Sequence, residues 1–329
     1  MPLSHEKEEL LARVEAALRL SGWQILWLVY DHPAKARLLR SGDAIDVWIH
    51  IWNLTPGGRP ITRPLERRIQ PTGIGAEFTR SVGAKTLILG WSGETGVFAA
   101  FDFAYHSGPF GQSPSVQTDL PALQAAAQDG LGVFEKGTGE LSIAVRPDML
   151  GLYVDQMEAL HGSGTSTVAV DVLRQMAADP LQVDVNQIPQ ARRKVMITTL
   201  QLLRDRRFGE RVLGAYGHRC AFCDVQLRLL DAAHILPVKH PDSNDLVTNG
   251  IALCALHHRA YDAALVTFDE GYAIHISKAL MKDLRASGRT GGLSGFRSAL
   301  QPTLRLPKVV ASRPSTEMIR KANQLRGWA

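Results

Sequence analysis

The spacing of the three cysteines is the feature that most constrains the fold of this chain. Cys220 and Cys223 are separated by two residues, and Cys254 is separated by two residues from His257. Two such pairs build a closed tetrahedral metal site, and their thiolate and imidazole ligands favour Zn²⁺ over Mg²⁺ or Ca²⁺. The alternative is that the thiols are free and pack as small hydrophobic side chains. Because no cysteine is left over, the spacing favours a structural zinc site.

Four further polar residues lie close to these cysteines in the sequence. His234 lies in the apolar, strand-like run LLDAAHILP, and Asn249 precedes a glycine and a second apolar run, IAL. His258 follows the second ligand pair directly, and Asp262 lies four residues later, on the same face if this segment is helical. The four side chains converge if the two apolar runs pair as a β-hairpin and the last segment forms a helix.

The order of these elements resembles that of the HNH (ββα-metal) endonucleases. The strings DAAHILP and NGIALCALHHRAYD, with the C-x2-C pair upstream, are similar to the restriction-type branch of that family over about residues 205–315. The resemblance implies a hairpin and helix clamped by zinc. It also implies hydrolysis of phosphodiester bonds in double-stranded DNA with a catalytic Mg²⁺ or another divalent cation.

The resemblance also implies roles for the individual residues. His234 would be the general base, since the unperturbed pKa of histidine, about 6.5, lies near working pH. Asn249 would hold the hairpin loop and orient the His234 ring, and His258 and Asp262 would bind the catalytic cation. The alternatives are a buried core histidine at 234, an Asn-Gly turn at 249, and a surface carboxylate or a partner of the His258 ring at 262.

One position departs from the family pattern. Many members place Asp or His immediately before the general base as a metal ligand, whereas this chain has Ala233 there. The nearest acid is Asp231, which strand pleating places on the same face as Ala233 and opposite His234. We therefore expect Asp231 to replace the missing ligand of the catalytic cation.

The charge of the chain is concentrated in its C-terminal part. Residues 204–329 contain 19 Lys and Arg and 11 Asp and Glu, a net charge of +8, whereas the whole chain carries +5. This excess predicts attraction to a polyanion. Arginines in two dense stretches are candidates for DNA contacts, or alternatively for solvated faces and ion pairs with neighbouring acids: Arg59, Arg63, Arg67, Arg68, Arg192, Arg193, Arg207 and Arg211.

Hydrophobic periodicity predicts an α+β chain. An N-terminal antiparallel-sheet domain with helices, residues 1–162, would select the DNA target. A helical linker, 163–203, would join it to the zinc-stabilised ββα-metal (HNH) domain with its C-terminal extension, 204–329. The predicted elements of the first domain are a helix over 4–20, strands over 23–30, 45–54, 85–91, 97–105 and 141–146, and a helix over 147–160, with an ordered loop over 55–73.

The strands of the first domain carry five tryptophans. Most are expected in the core, and a minority could line a pocket for a base flipped out of DNA, which aromatic stacking favours. They are Trp23, Trp27, Trp48, Trp52 and Trp91.

Three functions fit these patterns. The first is a metal-dependent restriction-type DNA endonuclease, with modified DNA as one possible target of the N-terminal domain. The second is a non-catalytic, zinc-containing DNA-binding protein, and the third is an HNH nuclease of a toxin or mobile element. No apolar run is long enough for a membrane span, and cysteines used as metal ligands fit a reducing cytoplasm. One active site per chain makes a homodimer a candidate assembly for double-strand cleavage.

Overall fold

Two units make up the structure, a computed structural model that describes residues 3–40, 42–58, 61–137, 139–188, 190, 193–227 and 229–328. The first unit is Met1–Leu203 and the second is Arg204–Ala329. Residues 163–203, predicted as a linker, fall within the first unit, where Val170, Leu173 and Met176 are buried in its main core. Among the described residues, no helix combines the length and the apolar character that crossing a membrane requires.

Helices of the first unit pack beside a long sheet. In chain order they are α1 (His5–Leu20), α2 (Leu120–Asp129), α3 (Leu150–Gly162) and α4 (Thr167–Ala178), and α5 (Arg193–Ala215) begins in this unit. The strands are β1 (Gln24–Val29), β2 (Ala34–Arg40), β3 (Asp43–Asn53), β4 (Thr55–Pro56), β5 (Glu66–Ile69), β6 (Ala84–Ser92), β7 (Val97–Phe101), β8 (Val116–Asp119), β9 (Leu131–Glu135) and β10 (Leu141–Val145).

Helix α1 forms as the sequence predicts. The Ser4 side chain accepts a hydrogen bond from the Lys7 backbone N–H at 3.4 Å, which caps the first turn. The residues that recur with helical spacing are buried on one face: Leu10, Leu11, Val14, Ala17 and Leu18. Their burial attaches the helix to the main core of the first unit.

The main sheet has the order β1-β2-β3-β6-β7-β10-β9 among the described residues. The predicted hairpin of β6 and β7 is confirmed, with Ser92 paired to Val97. The sheet is antiparallel except at β3 and β6, which run parallel. The predicted antiparallel sheet is therefore a mixed one, because the chain leaves β3, builds part of a second sheet and returns before it forms β6.

A second sheet, of order β4-β5-β8, replaces part of the loop predicted over 55–73. Strand β5 pairs with β4 before it in the chain and with β8 after it, and the register places Arg68 opposite Gln117. The loop prediction was wrong here because the partner that makes β5 a strand lies about 50 residues further along the chain.

The second unit is built around the predicted hairpin and helix. Strand β11 (Leu230–His234) pairs antiparallel with β12 (Gly250–Cys254), and α6 (Ala255–Asp262) follows at once. The remaining elements are β13 (Val266–Phe268), β14 (Ile274–Ile276), α7 (Lys278–Ala286), α8 (Leu293–Ala299) and α9 (Thr316–Leu325). Apolar residues of β12, α6 and β13 share one core with Phe208 and Val212 of α5.

Candidate functional site

The three cysteines and His257 come together at the base of the hairpin. Their ligand atoms all lie within 4.8 Å of one another, and this is the one group of three or more His, Cys, Asp or Glu residues with that geometry among the described residues. Cys220 and Cys223 lie in a tight turn, where the Asp224 N–H donates to the Cys220 carbonyl at 3.0 Å. Cys254 ends β12, and His257 lies in the first turn of α6.

The distances within this cluster fit a tetrahedral cation with soft ligands. Cys223 Sγ lies 3.8 Å from Cys254 Sγ, and His257 Nδ1 lies 3.3 Å from Cys254 Sγ and 3.6 Å from Cys220 Sγ. Ligands about 2.3 Å from a central Zn²⁺ at tetrahedral angles are about 3.8 Å apart. Burial raises the pKa of the Cys223 thiol to about 12. A bound cation supplies the charge that keeps such buried sulfurs ionised.

His234 is the last residue of β11 and is held on two sides. Its ring stacks on Phe208 of α5, with centroids 3.8 Å apart and planes at 9°. Its Nε2 lies 3.0 Å from Asp245 Oδ1, and the side chain is 14% exposed. The ring is therefore oriented, and a small part of it faces solvent.

Gly250 makes the stacking of Phe208 on His234 possible. It lies opposite His234 in the hairpin register. A Cβ at this position would lie 2.3 Å from Val212 Cγ2 and 3.0 Å from Phe208 Cζ. Only a residue without a side chain lets α5 approach the hairpin this closely.

Asn249 is completely buried and fixes the loop that follows β11. Its Oδ1 accepts a hydrogen bond from the Leu236 N–H at 2.8 Å, and its Nδ2 donates to the Asn244 carbonyl at 2.9 Å. The same amide nitrogen donates to Ser243 Oγ at 3.1 Å. Asn249 therefore holds the backbone of Asn244, the residue before Asp245, and its hydrogen bonds do not reach the His234 ring. The connection spans residues 235–249, so Asn249 and Gly250 do not form a two-residue hairpin turn.

Asp245 and Phe208 are the residues that sequence reasoning missed at this site. Asp245 lies 11 residues after His234, in a loop that has no periodic pattern. Burial, followed by the charge of Asp245, raises the pKa of the nearby Asp205 carboxyl. Arg211, predicted to contact DNA, donates from Nη2 to the Asp245 backbone carbonyl at 2.7 Å and so helps to hold the same loop.

His258 lies between the two carboxylates predicted as metal ligands. Its Nδ1 is 3.2 Å from Asp231 Oδ2, and its Nε2 is 3.5 Å from Asp262 Oδ2. Both carboxylates are well exposed, whereas Ala233 is buried. Asp231 contacts one ring nitrogen of His258 and Asp262 contacts the other. A cation bound to either nitrogen in this rotamer would therefore lie beside only one of the two carboxylates.

The remaining candidate arginines lie in different surroundings. Arg63 forms an ion pair with Glu66 at 3.4 Å and Arg67 with Glu94 at 3.0 Å. Arg68 lies on β5 beside them, and its Nε is buried without a hydrogen-bond partner in the part of the chain that the structure describes. Arg193 and Arg207 lie on α5. Arg59 and Arg192 lie outside the described residues.

Comparison with known protein families identifies the hairpin and helix. A model of the HNH endonuclease family matches residues 220–269, which contain the Cys/His cluster together with His234, Asn249 and His258. The second unit carries an HNH endonuclease domain. The Methylase-associated X1 family matches residues 45–154 of the first unit.

The whole chain was also compared with solved structures and with curated proteins. A solved structure described as the modification-dependent TagI restriction endonuclease aligns with 12% sequence identity and a TM-score of 0.30, over 86% of this chain and 81% of that chain. A TM-score this low does not establish a common fold. We found no match to the chain among curated proteins.

The contacts of Asn249 predict a local effect of its removal. Asn249→Ala leaves the Leu236 N–H and the Asn244 carbonyl without their buried partner, and each unsatisfied group costs about 1–3 kcal/mol. We expect faster amide hydrogen exchange across residues 235–250, measured by mass spectrometry, with first-unit peptides unchanged. Asn244→Ala is the matched control, because the Asn244 side chain is only partly buried and accepts one exposed hydrogen bond, from the Leu246 N–H. Unaltered protection in Asn249→Ala would contradict this role.

Proposed function

We propose that the chain is a metal-dependent endonuclease of restriction type that hydrolyses double-stranded DNA. The HNH family match over residues 220–269 carries this proposal. The orientation of His234 by Asp245 and Phe208 supports it, because a general base must be held in one geometry to act. The positive charge of residues 204–329 supports DNA as the substrate.

His234 is the general base in this proposal. Donation of its Nε2–H to Asp245 leaves Nδ1 as the nitrogen that accepts a proton from the attacking water. Asn249 keeps Asp245 in place through the loop backbone. His258 and Asp231 hold a divalent cation, Mg²⁺ or another, while Asp262 lies beside the other ring nitrogen of His258. When bound, that cation stabilises the negative charge that gathers on the scissile phosphate and the leaving oxygen.

The Cys/His cluster holds a structural zinc ion in this proposal. All four ligand positions are filled by protein atoms, which is typical of structural rather than catalytic zinc sites. The cation joins the turn at Cys220, the end of β12 and the start of α6, and so fixes the hairpin against the helix that carries His258.

The first unit selects the DNA target in this proposal. Its match to a family described as methylase-associated supports a role in distinguishing modified from unmodified DNA. A nuclease that works beside a methylase must respond to the modification state of its target, and the HNH domain has its own, separate task. We therefore infer that cleavage is directed by base modification.

The structural zinc ion is tested by its removal. Cys254→Ser replaces a thiolate ligand by a hydroxyl that does not ionise near neutral pH, so we expect zinc in the purified protein to fall from one equivalent to almost none. Metal content is measured by inductively coupled plasma mass spectrometry. His258→Ala, on the helix that follows Cys254 but outside the cluster, should retain its zinc. Full zinc occupancy in Cys254→Ser would disprove the assignment.

The general base is tested by His234→Ala. We expect plasmid cleavage with Mg²⁺ or Mn²⁺ to fall by about 10²-fold or more, while DNA binding measured without added divalent cation stays unchanged. His275→Ala is the control, since His275 is an exposed histidine of the same unit paired with Asp269. Equal cleavage by His234→Ala and wild type would refute the mechanism. Binding without cleavage by the wild type on plain and modified DNA alike would favour a non-catalytic DNA-binding protein.

The role of Asp231 as a ligand of the catalytic cation is tested by measuring the cation concentration that cleavage requires. If Asp231 binds the catalytic cation in place of the missing ligand at Ala233, Asp231→Ala should raise the Mn²⁺ concentration for half-maximal cleavage by about 10-fold or more. Asp262→Ala, measured in the same titration, shows whether the second carboxylate contributes equally. An unchanged Mn²⁺ requirement in Asp231→Ala would show that this carboxylate does not hold the cation.

A further inference from the structure

The first unit contains an aromatic cavity that none of the roles above uses. Its volume is about 240 Å³, and its walls include the rings of Phe78, Tyr105, His106 and Phe110. Three prolines, at positions 71, 109 and 114, complete the wall. Drug-sized ligands occupy pockets of about 300 Å³ or more, so this cavity suits a smaller molecule.

Three of the four rings of this cavity are held by contacts within the first unit. Phe78 is 2% exposed, and its ring makes edge contacts with Phe110 at 4.9 Å and with His50 at 5.1 Å. The Phe110 N–H donates to the Ala76 carbonyl at 2.7 Å. His106 Nε2 lies 2.9 Å from Glu140 Oε1. A flat ligand would therefore meet a preformed surface and would not have to order it.

A polar cavity of about 320 Å³ adjoins the aromatic one. Arg63, Arg68 and Lys136 line it, with Glu66 as its acidic residue, and Ser115 lines both cavities. The two cavities meet at Ser115, just before β8, where Val116 lines the aromatic cavity and Gln117, paired with Arg68, lines the polar one.

Arg68 is the cation of this cavity with unused donors. Its Nε is buried and has no hydrogen-bond partner among the described residues, which also show no ion pair to its guanidinium. Arg63, in contrast, is paired with Glu66, and Lys136 with Glu140. The Gly58 backbone lies close to this guanidinium, since a Cβ there would lie 3.3 Å from Arg68 Nη1. An anion with oxygen acceptors would satisfy Arg68.

We propose that the aromatic cavity receives a single nucleobase turned out of duplex DNA, and that Arg68 in the adjoining cavity binds a phosphate beside it. A flat base stacks on aromatic rings, and the phosphate of its own nucleotide accompanies it into the neighbouring cavity. This inference rests on the proposed function, because it takes DNA as the substrate. It names the part of the first unit that reads the base.

Binding to three duplexes of one sequence tests the proposal. The first is fully paired, the second carries a central mismatch, and the third carries an abasic site at the same position. A mismatched base costs less to turn out than a paired one, and an abasic site has no base to place in the cavity. Affinity is measured by fluorescence anisotropy with the full-length His234→Ala protein without added divalent cation, so that no cleavage occurs. We expect the mismatched duplex to bind more tightly than the other two.

Variants of the cavity then locate the effect. Phe110→Ala and Tyr105→Ala should each weaken binding of the mismatched duplex about 10-fold and leave the abasic duplex unaffected. Tyr30→Ala is the matched control, because Tyr30 is a half-exposed aromatic residue of the same unit that does not line the cavity. Arg68→Ala should weaken binding of all three duplexes. It should also reduce the slope of log affinity against log salt concentration by about the amount expected for one phosphate contact.

The outcomes separate this proposal from the proposed function. Equal affinity for the three duplexes, or a mismatch preference that survives in both Phe110→Ala and Tyr105→Ala, overturns the base-binding cavity even if the wild type cuts DNA. Failure of every duplex to bind, together with failure of the wild type to cut plasmid DNA, overturns both. Circular dichroism of each variant excludes loss of folding as the cause of weaker binding.

Discussion

The geometry of the HNH domain depends on the cluster of Cys220, Cys223, Cys254 and His257. A two-stranded hairpin is marginally stable alone, and the β11–β12 hairpin has only five pairs in its register. The cluster joins this hairpin to the upstream turn and to the start of α6 within 4.8 Å. The contact of Asp231 on β11 with His258 on α6 spans the two elements that the cluster joins. A cation bound by these four ligands would therefore stabilise both the fold and the position of His258.

A second constraint positions His234. Strand β11 ends at this residue, so the hairpin ladder alone does not fix its ring. The ring is oriented by Phe208 on one side and by Asp245 on the other, and Asp245 is in turn held by its backbone neighbours. Asn249 supplies the buried amide for that loop, while Gly250 permits the close approach of α5. In this Asn-Gly pair, Asn249 thus satisfies polar groups of the loop, and Gly250 leaves room for α5 to pack on the hairpin.

The sequence predicted the parts of this structure that depend on short-range spacing. The two ligand pairs, helix α6 and the capped helix α1 depend on neighbours within a few residues, and each is present. The pairing of β11 with β12 spans a longer connection and was expected from the order of the motifs. Contacts between distant segments were not predictable in this way. Asp245 reaches His234 across a loop without periodicity, and β5 becomes a strand only because β8 pairs with it. The parallel pairing of β3 with β6 also joins segments that are distant in the chain, and for that reason it was not predicted.

The aromatic cavity is lined by phenylalanine, tyrosine and histidine and not by the tryptophans from which a base pocket was predicted. Trp23 and Trp52 are buried, whereas Trp27, Trp48 and Trp91 are only partly buried, so fewer of the five belong to the core than expected, and none lines the cavity. The cavity is built instead by a loop rich in Gly and Pro, which a rigid sheet holds in place. The two units also differ in net charge, since residues 1–203 carry −3 and residues 204–329 carry +8. In the proposed function, long-range attraction to DNA therefore belongs to the second unit, and the first discriminates by contacts at short range, where a fitted cavity is more selective than charge.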